Sequence, residues 1–201
     1  MWVDDDAIRL AVVERLPWIK RNQAQLRTAE RQTERLMETG ESHYVWGKRY
    51  RLQAPGIGKP SICLAGEHLR ISAPENATGA EKLAILNRWY RAELKSAVSA
   101  LLPVWVERLQ VPTPTISIRR MKTKWGSAHT YKSAILLNIE LAKKHPSCLE
   151  YILVHELIHF IEPTHNEHFI ALLDYHIPNW VQRKEILDEA PLSDEHWCRL
   201  A

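Results

Sequence analysis

Apolar residues recur along this chain at two different spacings, which separate the predicted helices from the predicted strands. Steps of three and four residues predict one long amphipathic helix over residues 80–109, in which Pro103 should introduce a kink or a division. Shorter runs that are rich in aromatic and branched residues come before it and are interrupted by glycines. They predict two β-hairpins, over residues 43–52 and 61–72, and we expect these to form a small antiparallel sheet.

The sequence before these hairpins predicts two helices. Three aspartates, Asp4 to Asp6, are suited to a helix start and precede apolar residues at helical spacing up to Leu16. Pro17 should break this helix, and a second helix should then run over residues 18–37. The second helix carries only a narrow apolar stripe among Arg, Gln and Glu residues, which favours a largely solvated surface.

The second half of the chain returns to short strands and then to helices. Thr115–Arg119 alternates apolar and polar residues, and Ala134–Asn138 is a second apolar strand. Pro146 suits the first turn of a helix, which we expect to run on to Glu162. Two further helices should follow, over residues 169–176 and 178–187.

The composition narrows the class of protein without naming a function. The chain has 201 residues, of which 45% are hydrophobic and 25% are charged, as in ordinary soluble globular proteins. Its formal net charge of +3 neither requires nor excludes a nucleic-acid partner. Three widely spaced cysteines without a Cys-x-x-Cys pair argue against a disulfide framework, and no apolar run is long enough to span a bilayer. With an acidic start that lacks the features of a signal peptide, these observations predict a cytoplasmic protein without a membrane partner.

One predicted helix combines an apolar surface with polar residues at a spacing that metal sites use. His155 and His159 are four residues apart, so they share one face of the helix, and Glu156 lies beside them. Two imidazoles at this spacing can bind one zinc ion, and an adjacent carboxylate can deprotonate a water molecule. Because the surrounding residues are nearly all apolar, unpaired polar groups would be costly there. This favours a metal site over two core histidines with local hydrogen bonds.

A third histidine follows the pair within reach of the same ion. Pro163 must end the helix, because it lacks an amide proton, and the chain can then turn back and present His165 as a third ligand. His168 lies close by and could take that place instead. Three protein ligands with one open position are typical of a catalytic zinc ion rather than a structural one.

Several segments together resemble the YgjP-like metallopeptidase family, relatives of the SprT-like zinc proteases. The resemblance rests on Arg120-Met-Lys-Thr-Lys-Trp-Gly-Ser127, on Leu137-Asn138, and on His155-Glu-Leu-Ile-His159 with the later His165 and Phe169. It covers residues 89–187 well and is looser over the first hairpins. The chain differs from the family at Ala128, where cysteine is common, and at Asn166, where serine is common.

The resemblance implies an α+β fold with a zincin-like core. In such a core a short antiparallel sheet lies beside a metal-bearing helix, preceded in this chain by the N-terminal helices and β-hairpins. It also implies a Zn2+ ion held by His155, His159 and His165, with Glu156 as the general base of a peptidase. Metzincins share the histidine spacing, but they need glycine at the position of Glu162, and no methionine turn follows in this sequence.

The loop after Trp125 is the expected substrate side of the site, because the resemblance places it near the metal. We expect substrate contacts from Trp125, Gly126, Ser127, His129 and Asn138. An extended substrate could pair with Ala134–Asn138 as an edge strand. A developing oxyanion needs a donor besides zinc, and the sequence leaves four candidates open: His129, Tyr131, His168 and Tyr151.

Four cations within six residues leave a nucleic-acid role open. On a strand, Arg120, Lys122 and Lys124 would share one face, next to Arg119, although a solvated strand face is the commoner explanation. The leading prediction is a zinc-dependent peptidase that acts on a peptide or protein substrate. The alternatives are a zinc hydrolase of a non-peptide amide or ester, a nucleic-acid-associated SprT-like protease, and a non-catalytic binding module that keeps the zinc fold.

The chain should divide into three parts that together form one compact unit. These are an N-terminal region of helices and hairpins over residues 1–75, a zincin-like metallopeptidase core over residues 76–190, and a C-terminal tail over residues 191–201.

Overall fold

The computed structural model describes residues 36–189 and, outside that range, Leu16 alone. Apart from Leu16, which is helical, the helices predicted before residue 36 and the predicted tail lie outside the described residues. Met37, the predicted last residue of the second helix, is not helical, since its φ is 61°. Within residues 36–189 the protein has a mixed α+β fold with two small sheets and four helices.

The first sheet contains both predicted hairpins. Its strands are β1 (Ser42–Val45), β2 (Lys48–Ile57), β3 (Ser61–Ala65) and β4 (His68–Ala73). β1 pairs with β2, and β3 pairs with β4, in the antiparallel sense that the hairpins predict. The order in the sheet is β1-β2-β4-β3, so that β2 and β4 are neighbours and run parallel. The prediction of a purely antiparallel sheet is wrong, because β3 takes the outer edge and β4 returns beside β2.

The turn between β1 and β2 attaches this sheet to the rest of the protein. Trp46 and Gly47 both have positive φ, as in a tight two-residue hairpin turn. Their amides donate hydrogen bonds to the carbonyls of Ala142 (2.9 Å) and Lys143 (3.1 Å). A Cβ atom on Gly47 would lie 3.2 Å from the Cα atom of His145, so a side chain at this position would crowd the backbone there.

The predicted long helix is α1 (Gly79–Leu109), and it runs through Pro103 as one element. Thr78 begins it with a capping box, in which the Thr78 hydroxyl accepts a hydrogen bond from the Glu81 amide and the Glu81 carboxylate accepts one from the Thr78 amide. The buried face matches the predicted stripe, with Leu86, Tyr90, Leu94, Val98, Trp105 and Leu109. No helix among the described residues, α1 included, is both long and apolar enough to cross a membrane.

A second sheet of three strands follows α1. Its strands are β5 (Thr115–Arg119), β6 (Gly126–His129) and β7 (Ala134–Asn138), in the order β5-β7-β6. β5 and β7 match the two predicted strands, whereas β6 lies where no strand is predicted. β7 is parallel to β5 and antiparallel to β6, so the expected short antiparallel sheet is in fact mixed. The chain reaches the outer edge at β6 before it returns as β7 between the other two strands.

Three helices follow this sheet. They are α2 (Pro146–Ile158), α3 (Glu167–His176) and α4 (Trp180–Glu189). Pro146 occupies the first turn of α2, and the His145 side chain caps it by accepting a hydrogen bond from the Ser147 amide (3.2 Å). α2 ends at Ile158 rather than at the predicted Glu162, and residues 159–161 form turns.

The core of the protein is built around α2. This helix packs against α1, α3, α4 and β6. Nine of its 13 residues are buried, on nearly all of its sides. Polar groups on its last turns are therefore removed from bulk water and need partners inside the protein.

Candidate active site

The last turns of α2 and the loop after it bring three histidines together. His155 and His159 are one turn apart at the end of α2, and His165 returns from the loop that leads to α3. One nitrogen atom from each ring lies within 4.8 Å of the other two. The Nε2 atoms of His155 and His165 are only 3.0 Å apart. The loop thus brings the third predicted ligand to the pair that the helix supplies.

The donor set of this cluster fits a metal ion. Burial lowers the pKa of His155 to about 3, with help from the neighbouring His159 and His165 rings, and burial also lowers the pKa of His159. These two imidazoles are therefore neutral at physiological pH, and a neutral imidazole is the form that binds metal. One zinc-sized ion, with metal–nitrogen bonds of about 2.0–2.1 Å, holds tetrahedral ligand nitrogens roughly 3.3 Å apart. The Nε2 atoms of His155 and His165, 3.0 Å apart, are already near this spacing.

Glu162 shapes the loop that carries the third histidine. Its backbone carbonyl accepts a hydrogen bond from Nδ1 of His159 (3.2 Å), which leaves the Nε2 atom of that ring without a proton. Its carboxylate accepts hydrogen bonds from the hydroxyl (2.8 Å) and the amide (3.2 Å) of Thr164, and these bonds lower the pKa of Glu162 to about 2. Sequence reasoning used Glu162 only as the expected end of the helix and to exclude a metzincin, so these contacts were missed.

Phe169 packs under the whole histidine cluster. Its ring centroid is 4.9 Å from those of His155 and His159 and 4.7 Å from that of His165. The ring is fully buried in the first turn of α3, where the Asn166 side chain accepts a hydrogen bond from the Phe169 amide (3.0 Å). His165 lies in the loop before α3, so the sequence signal for Phe169 was its place in the family resemblance and not a helical spacing from His165.

Glu156 is buried between α2 and β6, next to the histidines in sequence. The residue is 6% exposed. Burial raises its pKa to about 7, although the amide of Ala128 and the charge of Lys124 both act to lower it. A carboxyl group with a pKa near neutrality can accept and release a proton at physiological pH, which suits the predicted general base.

Gly126 leaves room for this carboxylate. A Cβ atom at position 126 would lie 2.5 Å from Oε1 of Glu156 and 2.7 Å from its Cγ atom. Both distances are shorter than nonbonded atoms tolerate, so any other residue would force either the Glu156 side chain or β6 to shift. The glycine of the Trp-Gly-Ser segment is therefore explained by the close approach of a strand to the helix.

A comparison with known protein families agrees with this geometry. The model of the family described as "YgjP-like, metallopeptidase domain" matches residues 1–190. The chain belongs to the YgjP-like metallopeptidase family. The protein is therefore a peptidase that uses a metal cofactor, as the resemblance predicted.

Part of this YgjP-like metallopeptidase is similar to a solved structure, the metallopeptidase zymogen of Pyrococcus abyssi abylysin. The two are 26% identical, and the match covers 45% of this chain and 89% of that one, with a TM-score of 0.40. No protein of curated function matches the chain.

Four of the five residues that we expected to contact substrate lie in or beside β6. Gly126 and Ser127 begin the strand, and His129 is exposed at its end. Trp125 is half-buried just before it, with the ammonium group of Lys144 at 5.2 Å from its ring centroid. β6 thus brings this segment alongside Glu156 in the metallopeptidase.

Asn138, the fifth of these residues, has a different place in the structure. It is fully buried, and its side-chain nitrogen donates hydrogen bonds to the carbonyls of Met121 (2.9 Å) and Lys124 (2.8 Å). Its side-chain oxygen accepts hydrogen bonds from the amides of Glu140 (3.2 Å) and Met121 (3.4 Å). With every polar atom of its side chain bound to the backbone, Asn138 holds the loop that leads into β6.

Among the described strands, the edge of the sheet beside α2 is β6 and not β7. β7 lies between β5 and β6, so the prediction that Ala134–Asn138 supplies an edge strand is wrong. The Asn138 amide donates to the Trp125 carbonyl (2.9 Å), and the antiparallel register then turns the backbone groups of Gly126 and Ala128 to the outer side. The hydrogen bond from the Ala128 amide to Glu156 fits this orientation.

The four oxyanion candidates differ in their access to solvent. Tyr151 is buried on α2, where its ring stacks on that of Trp180 with centroids 6.3 Å apart, and burial raises its pKa to about 12. His168 has its Nδ1 atom 3.5 Å from the carboxylate of Glu162. His129 and Tyr131 are exposed at the end of β6 and in the turn after it. The last two are the candidates that remain both exposed and close in sequence to β6.

The basic residues after β5 do not form the expected row of cations. The strand ends at Arg119, and an irregular connection leads from there to β6. The guanidinium group of Arg120, whose side chain is still exposed, lies 3.5 Å from the buried carboxylate of Glu140. Lys122 and Lys124 remain exposed. The three residues therefore do not share one strand face, contrary to the prediction.

Proposed function

We propose that this metallopeptidase hydrolyses peptide bonds with a Zn2+ ion held by His155, His159 and His165 and with Glu156 as the general base. The observation that carries the proposal is the convergence of three imidazoles beside a buried carboxyl group whose pKa is about 7. The three-stranded sheet packed beside the ligand-bearing helix supports a zincin-like core.

The chemistry of the ligands favours zinc over the hard divalent cations. Three imidazoles suit zinc, whereas magnesium and calcium prefer oxygen ligands. His165 is exposed, so the cluster can be reached from solvent. A bound zinc ion would supply Lewis-acid chemistry, which polarises the scissile carbonyl and makes water a better nucleophile.

Glu156 moves the protons in this proposal. Its carboxylate takes a proton from the attacking water and later returns it to the leaving amine. Because burial holds its pKa near 7, both the charged and the neutral form are accessible at physiological pH. The Ala128 amide steadies the carboxylate from the side of β6, and Gly126 allows the strand to come that close.

An extended peptide is the kind of substrate that the site favours. β6 is an edge strand among the described strands, and it lies next to Glu156. A peptide can add to such an edge as a further strand, held by main-chain hydrogen bonds. This feature favours a peptide or an unfolded protein segment over a small non-peptide amide or ester.

The test is cleavage of an unfolded protein and of a peptide library by the full chain, before and after removal of metal with a chelator. We expect cleavage that chelation abolishes and zinc restores. Glu156→Gln should lose cleavage and keep its zinc. Glu167→Gln neutralises an exposed carboxylate close to His165 in sequence and serves as the matched control, with activity retained.

Two other outcomes would contradict the proposal. Hydrolysis of small amides or esters without any peptide cleavage would identify a non-peptide hydrolase that uses the same ligands. Zinc binding without hydrolysis of any substrate would identify a binding module.

A further inference from the structure

Building on the proposed metal site at His155, His159 and His165, we propose that Glu162 is a positioning residue that holds two of the three ligands in place. Its backbone carbonyl contacts His159 directly, and its side chain holds Thr164, the residue just before His165. The two contacts meet at the turn where α2 gives way to the loop.

The backbone contact acts on His159. The carbonyl oxygen of Glu162 accepts the hydrogen bond from Nδ1 of His159 (3.2 Å), so the proton of this neutral ring sits on Nδ1 and Nε2 is free to bind metal. The carbonyl is in place because the chain keeps winding after the helix ends, with the Glu162 amide donating to the Ile158 carbonyl (2.9 Å). The winding stops at Pro163, which has no amide proton.

The side-chain contact acts on the loop that presents His165. The Oε1 atom of Glu162 accepts hydrogen bonds from both the hydroxyl (2.8 Å) and the amide (3.2 Å) of Thr164, the residue just before His165. The Oε2 atom lies 3.5 Å from Nδ1 of His168, in the first turn of α3. One carboxylate therefore contacts the chain on both sides of His165 and holds the backbone from which the His165 side chain projects.

These side-chain contacts differ in strength. The pair with His168 is long, and the His168 side chain is 61% exposed, so this pair contributes little. The bonds from Thr164 are charge-assisted, and the Glu162 side chain is only 19% exposed, so water screens them less. The role of Glu162 thus depends on the acceptor Oε1 rather than on an ion pair, and glutamine, which keeps that oxygen, should serve in its place.

The experiment measures metal binding by the full chain after removal of metal with a chelator. Zinc affinity is determined by competition, and the absorption spectrum of added Co2+ reports the number of ligands. Glu162→Ala should weaken zinc binding about 10- to 100-fold, the usual effect of losing a group that orients a metal ligand. Its Co2+ spectrum should shift toward that of His165→Ala, whereas Glu162→Gln should bind zinc as the wild type does.

Two further variants separate the hydrogen bonds from charge and folding. Glu167→Ala removes a nearby exposed carboxylate that makes none of these bonds, and it should leave zinc affinity unchanged. Thr164→Val removes only the hydroxyl donor at an exposed position, so it should weaken zinc binding in the same direction and by less than Glu162→Ala. It provides the test if Glu162→Ala does not fold.

The outcomes distinguish this role from the proposed metal site itself. If Glu162→Ala and Thr164→Val bind zinc with wild-type affinity and spectrum while His165→Ala is impaired, the side chain of Glu162 does not position His165, the proposal is overturned and the metal site stands. If His165→Ala binds zinc as tightly as the wild type, the third ligand of the proposed function is wrong, whatever the Glu162 variants show.

Discussion

The two sides of the histidine cluster are held in opposite ways. On the side of β6, Glu156 is buried against the backbone, where the Ala128 amide donates to it and Gly126 makes room for it. On the side of the loop, His165 and Thr164 are exposed, and Thr164 donates two hydrogen bonds to the side chain of Glu162. Changes on the buried side should therefore impair proton transfer and leave the metal bound. Changes on the loop side should impair metal binding first.

The largest effect is expected at Phe169, where the two sides meet. Its fully buried ring packs against His155, His159 and His165, so Phe169→Ala should lower the free energy of unfolding by about 3–5 kcal/mol. Urea unfolding of the metal-free protein measures this loss. Phe160→Ala is the matched control, and because Phe160 is only half-buried its loss should be clearly smaller. Equal losses would show that the Phe169 ring under the cluster stabilises the protein no more than the half-buried Phe160 ring does.

The next largest effect is the change with pH in the free energy of unfolding that the buried Glu156 carboxyl group causes. In the folded metal-free protein Glu156 keeps its proton up to about pH 7, whereas the unfolded chain releases it near pH 4.5. Between these values the free energy of unfolding of the wild type should fall by about 1.4 kcal/mol per pH unit relative to Glu156→Gln, which does not titrate. The total loss in the free energy of unfolding is roughly 3 kcal/mol, and it is complete above pH 7 and absent at pH 4.

Urea unfolding of both proteins from pH 4 to pH 8 checks this difference. A difference that stays constant over the whole range would contradict the raised pKa of Glu156 and, with it, the contrast between a buried and an exposed side.

Gly126→Ala tests whether a change on the side of β6 lowers the rate of catalysis without affecting metal binding. The new Cβ atom would lie 2.5 Å from Oε1 of Glu156, and displacement of a catalytic group by about 1 Å costs roughly 100-fold in rate. We expect kcat/KM to fall by at least that factor, with the zinc content unchanged. Gly66→Asn is the control, since a Cβ atom there meets nothing within 4 Å and asparagine tolerates the positive φ of Gly66. Loss of zinc along with activity would break the contrast between the two sides.

The smallest effect concerns the loop that leads into β6. Asn138→Ala would leave the carbonyls of Met121 and Lys124 without their donor and should lower the free energy of unfolding by about 2 kcal/mol. Asn87→Ala removes a single long hydrogen bond from Arg120 (3.4 Å) and should change it by less than about 0.5 kcal/mol. Thermal unfolding compares the two variants, and equal values would mean that Asn138 does not hold this loop.

Local patterns were enough to find the part of the site that one helix supplies. His155, Glu156 and His159 lie within five residues, and helical periodicity sets their relative positions without knowledge of the rest of the fold. The same holds for α1, whose buried face follows the predicted steps of three and four residues. Both predictions depend on neighbours in sequence.

The strand beside the site could not be predicted in this way. β6 has the sequence Gly-Ser-Ala-His, which shows no alternation of large apolar and polar residues, and only its pairing with β7 makes it a strand. The strand order depends on the pairing of β5 with β7, which are separated along the sequence by β6. Asn138 gives the same sequence signal whether it faces a substrate or a buried loop, so its role required the contacts themselves.

The close approach at Gly126 also offers a way to sort relatives of this protein by their sequences. A relative that keeps all three histidines and Glu156 but carries another residue at this position should still take up metal and fail to cut its substrate. It would be a pseudoenzyme that a search for the histidine motif alone would count as active. In a saturation library at position 126, selection for cleavage should recover glycine alone, whereas selection for metal uptake should recover many residues.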